Sequence, residues 1–294
     1  MRPRPSPRTG YGLVSDGWVV PRDAPRSRTS PALASSPCVA DTNRLKSPPN
    51  RFDTPWKLAL DSYLPALIEL LFADVAALVD WSRPVAFLDS ELQAIVPDSE
   101  TGDLRADKLV QVTRRDGTDA LLFIHFEIQA QRDPALPRRM FRYHYRIYDR
   151  FGQHPISLVV LADDEPGWRP GPYVGEVGPV RLSLEYAACK LRDVDLGPWL
   201  AAGNPVARIV QAHRLAQRTR GDEAGRWEAK LAFLRELRGA GLGWEDSVRV
   251  MRVVHGLLAL PRELEVALRR EVRKQEEAMH ETMRSPYETV GWEE

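Results

Sequence analysis

Between Trp56 and Asp80, leucines recur at three- and four-residue steps: Leu60, Leu64, Leu67, Leu71 and Leu78, with Asp and Glu between them. That spacing predicts an amphipathic helix. Pro65 interrupts it, so the stretch reads either as two short helices or as a loop and a helix. The period then changes. Val85–Val96 and Lys108–Thr113 read as strands, and Arg115-Asp116-Gly117-Thr118 supplies a hairpin turn into a third, Ala120–Gln129. This third run, ALLFIHFEIQ, is almost continuously apolar, which suits a central strand buried on both faces. A helix over Pro137–Phe151 and a further buried strand over Ile156–Ala162 follow.

The C-terminal half has a different pattern. A Gly/Pro-rich link, Pro166–Pro179, leads to one more strand-like run, Val180–Tyr186. From Pro198 onward the spacing is mostly helical, with amphipathic stretches over Arg226–Arg238, Trp244–Leu258 and Pro261–His280. Asn204 and Pro205 suit the cap and first position of another helix, and Gly239 and Gly243 punctuate a junction. The Leu257–Leu260 patch and the charged run Arg262–Glu277 suit a bundle or self-association. The pattern as a whole predicts an α/β core over residues 51–190 followed by a C-terminal helical region over 191–294.

Composition narrows the class. Of the 294 residues, 43% are hydrophobic and 28% charged, ordinary values for a globular chain. No apolar run reaches the roughly 18 residues that a membrane span needs, so no membrane association is expected. Arg2 and Arg4 have no apolar segment behind them, which argues against a secretory signal and makes a cytoplasmic location the expectation. Cys38 and Cys189 can build neither a disulfide framework nor a zinc site by spacing. The net charge of zero hides an asymmetry: residues 1–50 carry +5 and the remainder −5. That first stretch is rich in Pro, Ser and Arg and lacks apolar periodicity. It reads as a disordered basic tail, or as residues ahead of a true start near Arg51. Contact with nucleic acid would have to come from local patches, since the body of the chain is not basic.

One constellation points to chemistry. Glu127 and Gln129 are two apart on the strongest strand, so alternation assigns them to one face. Asp107 begins the preceding strand, one hairpin away, and strand pairing can bring it toward Glu127. Two carboxylates so placed repel unless a cation lies between them. Mg²⁺ (or Mn²⁺) suits such oxygen ligands, can activate water and can stabilise a phosphoryl transition state. The plainer alternative has Glu127 solvated at a strand end and Gln129 entering a polar loop. His125 shares the face of Glu127 and reads first as a buried, hydrogen-bonded histidine. Arg138, Arg142, Arg146 and Arg150 are spaced by four along the following helix, with Arg139 beside them and Tyr143, Tyr145 and Tyr148 interleaved. The stripe reads either as a phosphate-binding face or as a solvated basic face over an aromatic core. His213 and His255 read as structural or surface residues.

The order of elements and these residues resemble the PD-(D/E)xK nuclease superfamily, whose core runs helix, three strands, helix, strand. Ala106-Asp107-Lys108-Leu109 is similar to its first signature element, and Phe126-Glu127-Ile128-Gln129 to its Glu-x-Lys element with Gln for Lys. More closely, the chain resembles the recombination-promoting nuclease and YhgA-like transposase family. The stretches that carry this are Asp80–Arg83, Phe87–Gln93, Ala106–Val110, Ile124–Gln131, Arg139–Arg150, Ser157–Trp168 and Ser285-Pro286-Tyr287. The resemblance spans roughly Arg51 to Tyr287. It implies a restriction-endonuclease-like core, with a mixed central sheet flanked by helices, and a DNA endonuclease tied to recombination or mobile elements. It also implies Asp107, Glu127 and Gln129 as catalytic residues, Asp107 and Glu127 as metal ligands, and a further acidic ligand from Glu91, or else Glu69, with Asp61 and Asp74 as competitors. It suggests Arg139 and Tyr143 against DNA, to which the four-residue stripe adds Arg142 and Arg146, and a homodimer is common among enzymes that cut both strands. Glutamine at 129 brings no charge; Lys108 could supply one, but alternation points it to the opposite face.

Three readings follow: a metal-dependent DNA endonuclease, a catalytically inactive DNA-binding module on the same fold, and an oligomeric scaffold built on the C-terminal helices. No G-x-G-x-x-G, G-x-x-x-x-G-K-[ST] or G-x-S-x-G pattern supports a dinucleotide, P-loop or serine-hydrolase enzyme.

Overall fold

The computed structural model describes residues 52–95, 107–127 and 133–278, with the side chains of residues 53, 126, 127 and 276–278 outside that description. Its first element is the helix α1, Asp53–Leu71. Trp56, Leu60, Leu64, Leu67 and Leu71 line its buried side at the expected spacing. Pro65 stays inside the helix and bends it. The residue that leaves helical geometry is Tyr63 (φ −138°, ψ 28°), within the turn whose carbonyl the proline ring crowds. A short α2, Ala73–Leu78, follows.

The expected first strand over 85–96 is corrected. Only Ala86–Phe87 (β1) pairs in the sheet, and Asp89–Ile95 is a helix, α3. Leu88, Leu92 and Ile95 have helical spacing and pack on the small core described below, while Asp89 and Glu91 favour the positive N-terminal turn. Glu91 is therefore a helical residue rather than a strand residue.

Strand β2, Lys108–Thr113, pairs antiparallel with β3, Asp119–Glu127, from Lys108 against Ile124 to Thr113 against Asp119. The hairpin turn lies where expected: Arg114 N–H donates to Thr118 O at 2.7 Å, Asp116 Oδ1 accepts from Thr118 N–H, and Gly117 takes φ +84°. Helix α4, Leu136–Phe151, crosses to β4, Ile156–Leu161, which runs parallel to β3. A hairpin of β5, Tyr173–Val177, and β6, Val180–Leu184, stands apart from the main sheet, with Tyr173 stacked on Phe141 of α4 at 4.4 Å. The strand that completes the main sheet is β7, Ala187–Lys190, parallel to β4. The order β1-β2-β3-β4-β7 is a mixed sheet.

Beyond a 3₁₀ turn at Leu191–Asp193, the chain is helical: α5, Gly197–Ala201; α6, Pro205–Arg218; α7, Glu223–Arg238; α8, Trp244–Leu257; and α9, Arg262–Ala278. Asn204 caps α6 as expected, its Oδ1 accepting from the amides of Val206 and Ala207. The protein is thus α/β, with a mixed five-stranded sheet flanked by helices and a helical C-terminal region. No helix among the described residues is long and apolar enough to cross a membrane.

Alternation along β3 divides the interior. Ala120, Leu122 and Ile124 face a large core shared by α1, α6, α7 and α8, whereas Leu121 and Phe123 face a smaller one closed by Leu136, Met140, Tyr143 and Ile147 of α4. Helix α1 packs directly on α6 and α8, so the C-terminal helices bury the first helix rather than standing apart from the sheet region. His213 of α6 is fully buried there. Trp56 Nε1–H donates to its Nδ1 at 3.3 Å, and its Nε2–H donates to Ala162 O at 2.8 Å, which ties α1, α6 and the end of β4 together.

Burial pushes the His213 imidazole down to about 4 from its ordinary value of 6.5. As pH falls below about 6.5, the unfolded chain takes up a proton that the folded chain refuses until about pH 4. The contribution is fully present above that range and is lost across it, on the order of 3 kcal/mol. Urea midpoints measured across this interval should fall steeply for the wild type, and His213→Gln should flatten that part of the slope. A second expectation concerns α8 against α1. A Cβ at Gly256 would lie 2.6 Å from Pro55 Cγ. Overpacking costs ~1–3 kcal/mol against the ~1 kcal/mol that alanine gains in a helix, so Gly256→Ala should lower the thermal midpoint.

Candidate functional site

The smaller core ends at its outer edge in polar groups. Going outward along β3 from Phe123, the next residue on that face is His125, which has no exposed surface. Lys108 pairs with Ile124, so Asp107, one step before β2, stands opposite His125. Their side chains meet: His125 Nδ1 lies 2.7 Å from Asp107 Oδ1. Arg139, in the first turn of α4, reaches the other ring nitrogen, with Nη2 3.2 Å from His125 Nε2. Its Nη1 is 2.5 Å from Asp133 Oδ2. Asp133 in turn accepts the Ala135 amide on Oδ1 at 2.8 Å, at the entry to the helix. Four polar side chains thus form a continuous series along the mouth between β2, β3 and α4, and Asp107, Arg139 and Asp133 are each largely covered.

Tyr143 forms the floor of this site. It is 2% exposed, edge-on to Phe123 at 5.2 Å and beside His125 at 6.1 Å. Of the two readings of this helix, its burial fits the aromatic core face, because α4 turns that side inward with Met140 and Ile147. The other side of α4 carries Arg138, Arg142, Arg146 and Arg150, the outer two exposed and the inner two partly covered, with Tyr145 and Tyr148 exposed beside them.

The remaining expected residues are placed as follows. Glu127 is the last residue of β3, its backbone opposite Leu161 of β4. Its side chain, and Gln129 altogether, lie outside the described residues, as do Ser285-Pro286-Tyr287. Asp107 is bonded to His125, the residue that the ladder register sets across from it. Glu91 is partly covered on α3 and accepts from Ser90 Oγ, which holds its carboxyl below the usual range. Glu69 is exposed on α1, and neither glutamate shares a hydrogen bond or ion pair with Asp107. Lys108 lies on the opposite sheet face, as alternation requires, between Asp61 Oδ1 at 2.6 Å and Asp89 Oδ2 at 2.5 Å. Burial pulls its pKa down, but the two carboxylates outweigh this and hold it above the ordinary value. That ammonium is therefore committed away from Asp107.

Among the described residues, no group of three or more His, Cys, Asp or Glu is placed to hold a metal ion. The donor chemistry present is compatible with a hard cation in one respect. Asp107 Oδ1 is taken by His125, while Oδ2 makes no hydrogen bond among the described residues. No protein-family model matches the chain, and no curated protein or solved structure matches it.

A second polar centre escaped the sequence reading. Asp163, just past β4, and Lys190, ending β7, are paired at 2.6 Å with side chains 0% and 2% exposed. Lys190 also donates to Trp168 O at 3.2 Å and stands over the Trp168 ring, and Asp163 Oδ1 accepts the Glu165 amide. The only signal for it was an acidic residue directly after the apolar run ISLVVLA. The pair clamps the carboxyl ends of two parallel strands. Lys190→Met should cost ~3–5 kcal/mol in urea denaturation, because it strands a buried carboxylate. Adding Asp163→Leu to that variant should recover most of the loss.

Proposed function

We propose that this protein is a metal-dependent DNA endonuclease with a PD-(D/E)xK-like core, acting on phosphodiester bonds in recombination or mobile-element DNA. The observation that carries this reading is the Asp107 carboxylate, held against a buried histidine at the end of the central strand that continues into Glu127. It lies at the edge of the face covered by a helix whose outer side bears four arginines.

In this reading Asp107 and Glu127 would hold a Mg²⁺ or Mn²⁺ ion, and Gln129 would orient the attacking water. A divalent cation bound there supplies Lewis acidity and a water of lowered pKa. The residues of the chain do the rest. Asp107 keeps one oxygen for His125 and one free of hydrogen bonds among the described residues, so the carboxylate enters the reaction already oriented. The arginines spaced by four along α4 offer forked donors to phosphate oxygens and set the register of a backbone without reading sequence. Gln129 can donate hydrogen bonds from its amide but brings no charge, so the chemical step depends more heavily on the carboxylates than in a lysine-bearing site.

Asp107→Ala should reduce plasmid nicking in Mg²⁺ by on the order of 10²-fold or more while leaving the far-ultraviolet circular dichroism unchanged. Asp107→Asn keeps an acceptor for His125 and should lose activity to the same extent with less effect on stability. Full activity in both variants would remove the assignment. A wild-type protein that retards DNA in a gel but nicks it in no divalent metal would instead leave a binding module on this fold.

A further inference from the structure

Arg139 determines where the proton of His125 sits. A guanidinium has N–H donors and no acceptor, so the ring nitrogen 3.2 Å from Nη2 must offer a lone pair. The neutral ring therefore carries its proton on Nδ1 and donates it to Asp107 Oδ1 at 2.7 Å. Asp133 holds Arg139 in turn through Nη1, and is itself held by the Ala135 amide. Donation runs outward from Arg139 in two directions: to Asp133 at the helix entry on one side, and through His125 to Asp107 on the other. Because His125 has no exposed surface and lies against Phe123 and Tyr143, its ring has no solvent to turn toward.

We infer that His125 is a positioning residue for the cation site: by occupying Asp107 Oδ1 it fixes the carboxylate in one orientation and presents Oδ2 as the ligand oxygen. This rests on the reading of Asp107 as a metal ligand. It goes beyond that reading in assigning a division of labour between the two carboxylate oxygens and in making Arg139 the residue that sets the tautomer. Arg139 thereby has a role that does not require it to touch nucleic acid. Second partners of this kind orient ligands and typically alter metal affinity by ~10–100-fold when removed.

The test uses the full chain and Mn²⁺ as probe, with binding followed by calorimetry and the ring by ¹⁵N NMR at one neutral pH. The wild type should show a single neutral Nδ1–H tautomer at His125. His125→Phe should weaken Mn²⁺ binding by ~10–100-fold. His125→Asn, whose amide can donate to Asp107 in place of Nδ1, should stay within roughly threefold of the wild type. Arg139→Met should give mixed tautomers and a several-fold loss. If His125→Phe fails to melt cooperatively, the Asn and Arg139→Met variants carry the comparison. Unchanged Mn²⁺ affinity in His125→Phe or Arg139→Met overturns the inference, as does an Nε2–H ring in the wild type. If the wild type binds Mn²⁺, Asp107→Asn abolishes it and the His125 variants do not, only the positioning role falls. If the wild type binds none, the nuclease reading falls with it.

Discussion

The antiparallel ladder between β2 and β3 decides what each neighbouring group can do. Pairing Lys108 with Ile124 sends Lys108 to one face, toward Asp61 and Asp89, and sets Asp107 against His125 on the other. A slip of one residue would exchange the faces, burying Asp107 in the large apolar core and turning Lys108 toward α4. The register is protected on both sides, since Val110, Leu122 and Ile124 fill one core while Leu109, Leu121 and Phe123 fill the other. Packing against two cores at once, with Asp107 and Lys108 sent to opposite faces, holds the pair in this register. That rigidity makes a polar series at its outer end possible.

Charges placed inside the fold follow a common rule. Lys190 with Asp163, and Lys230 with Glu265, are pairs with almost no exposure, the second joined by His255 Nδ1 at 2.9 Å from the same oxygen. Such pairs add little net stability, because desolvation offsets their attraction. Both are made within the assembled fold. Lys190 finds its carboxylate only when β7 lies parallel beside β4, and Lys230 only when α7 meets α9. The Asp107–His125–Arg139–Asp133 series obeys the same logic, and like Asp163, whose Oδ2 accepts no hydrogen bond, it leaves one carboxylate oxygen of Asp107 without a hydrogen bond among the described residues.

The C-terminal helices serve this arrangement through α1. Trp56 and His213 connect α1 and α6 to the carbonyl of Ala162, and Gln217 donates to the same carbonyl at 2.6 Å. The face of the sheet away from α4 is thereby closed, and the end of β4 is held from behind. The outer arginines of α4 lie on the open side, away from this helical layer.

Much of this was readable in the linear pattern. The continuous apolar run of β3, the turn at Asp116-Gly117, the length of α4, the Asn204 cap and the face assigned to Lys108 follow from local rules of period, turn chemistry and alternation, which need no partner. Other features depended on partners. Val85–Val96 reads as a strand, but only Ala86–Phe87 pairs and Asp89–Ile95 is a helix, because helical spacing lets Leu88, Leu92 and Ile95 reach the core under α4. Ala187–Lys190 has no β-branched or aromatic residue to mark a strand, and only the open edge of β4 makes it one. The arginine stripe could be counted in sequence, but which tyrosines lay beneath it could not, and Tyr143 went inside. Alternation with Glu127 named His125, and its place one hairpin before Glu127 named Asp107. That they touch is a property of register, and register is set by how two buried faces pack at once.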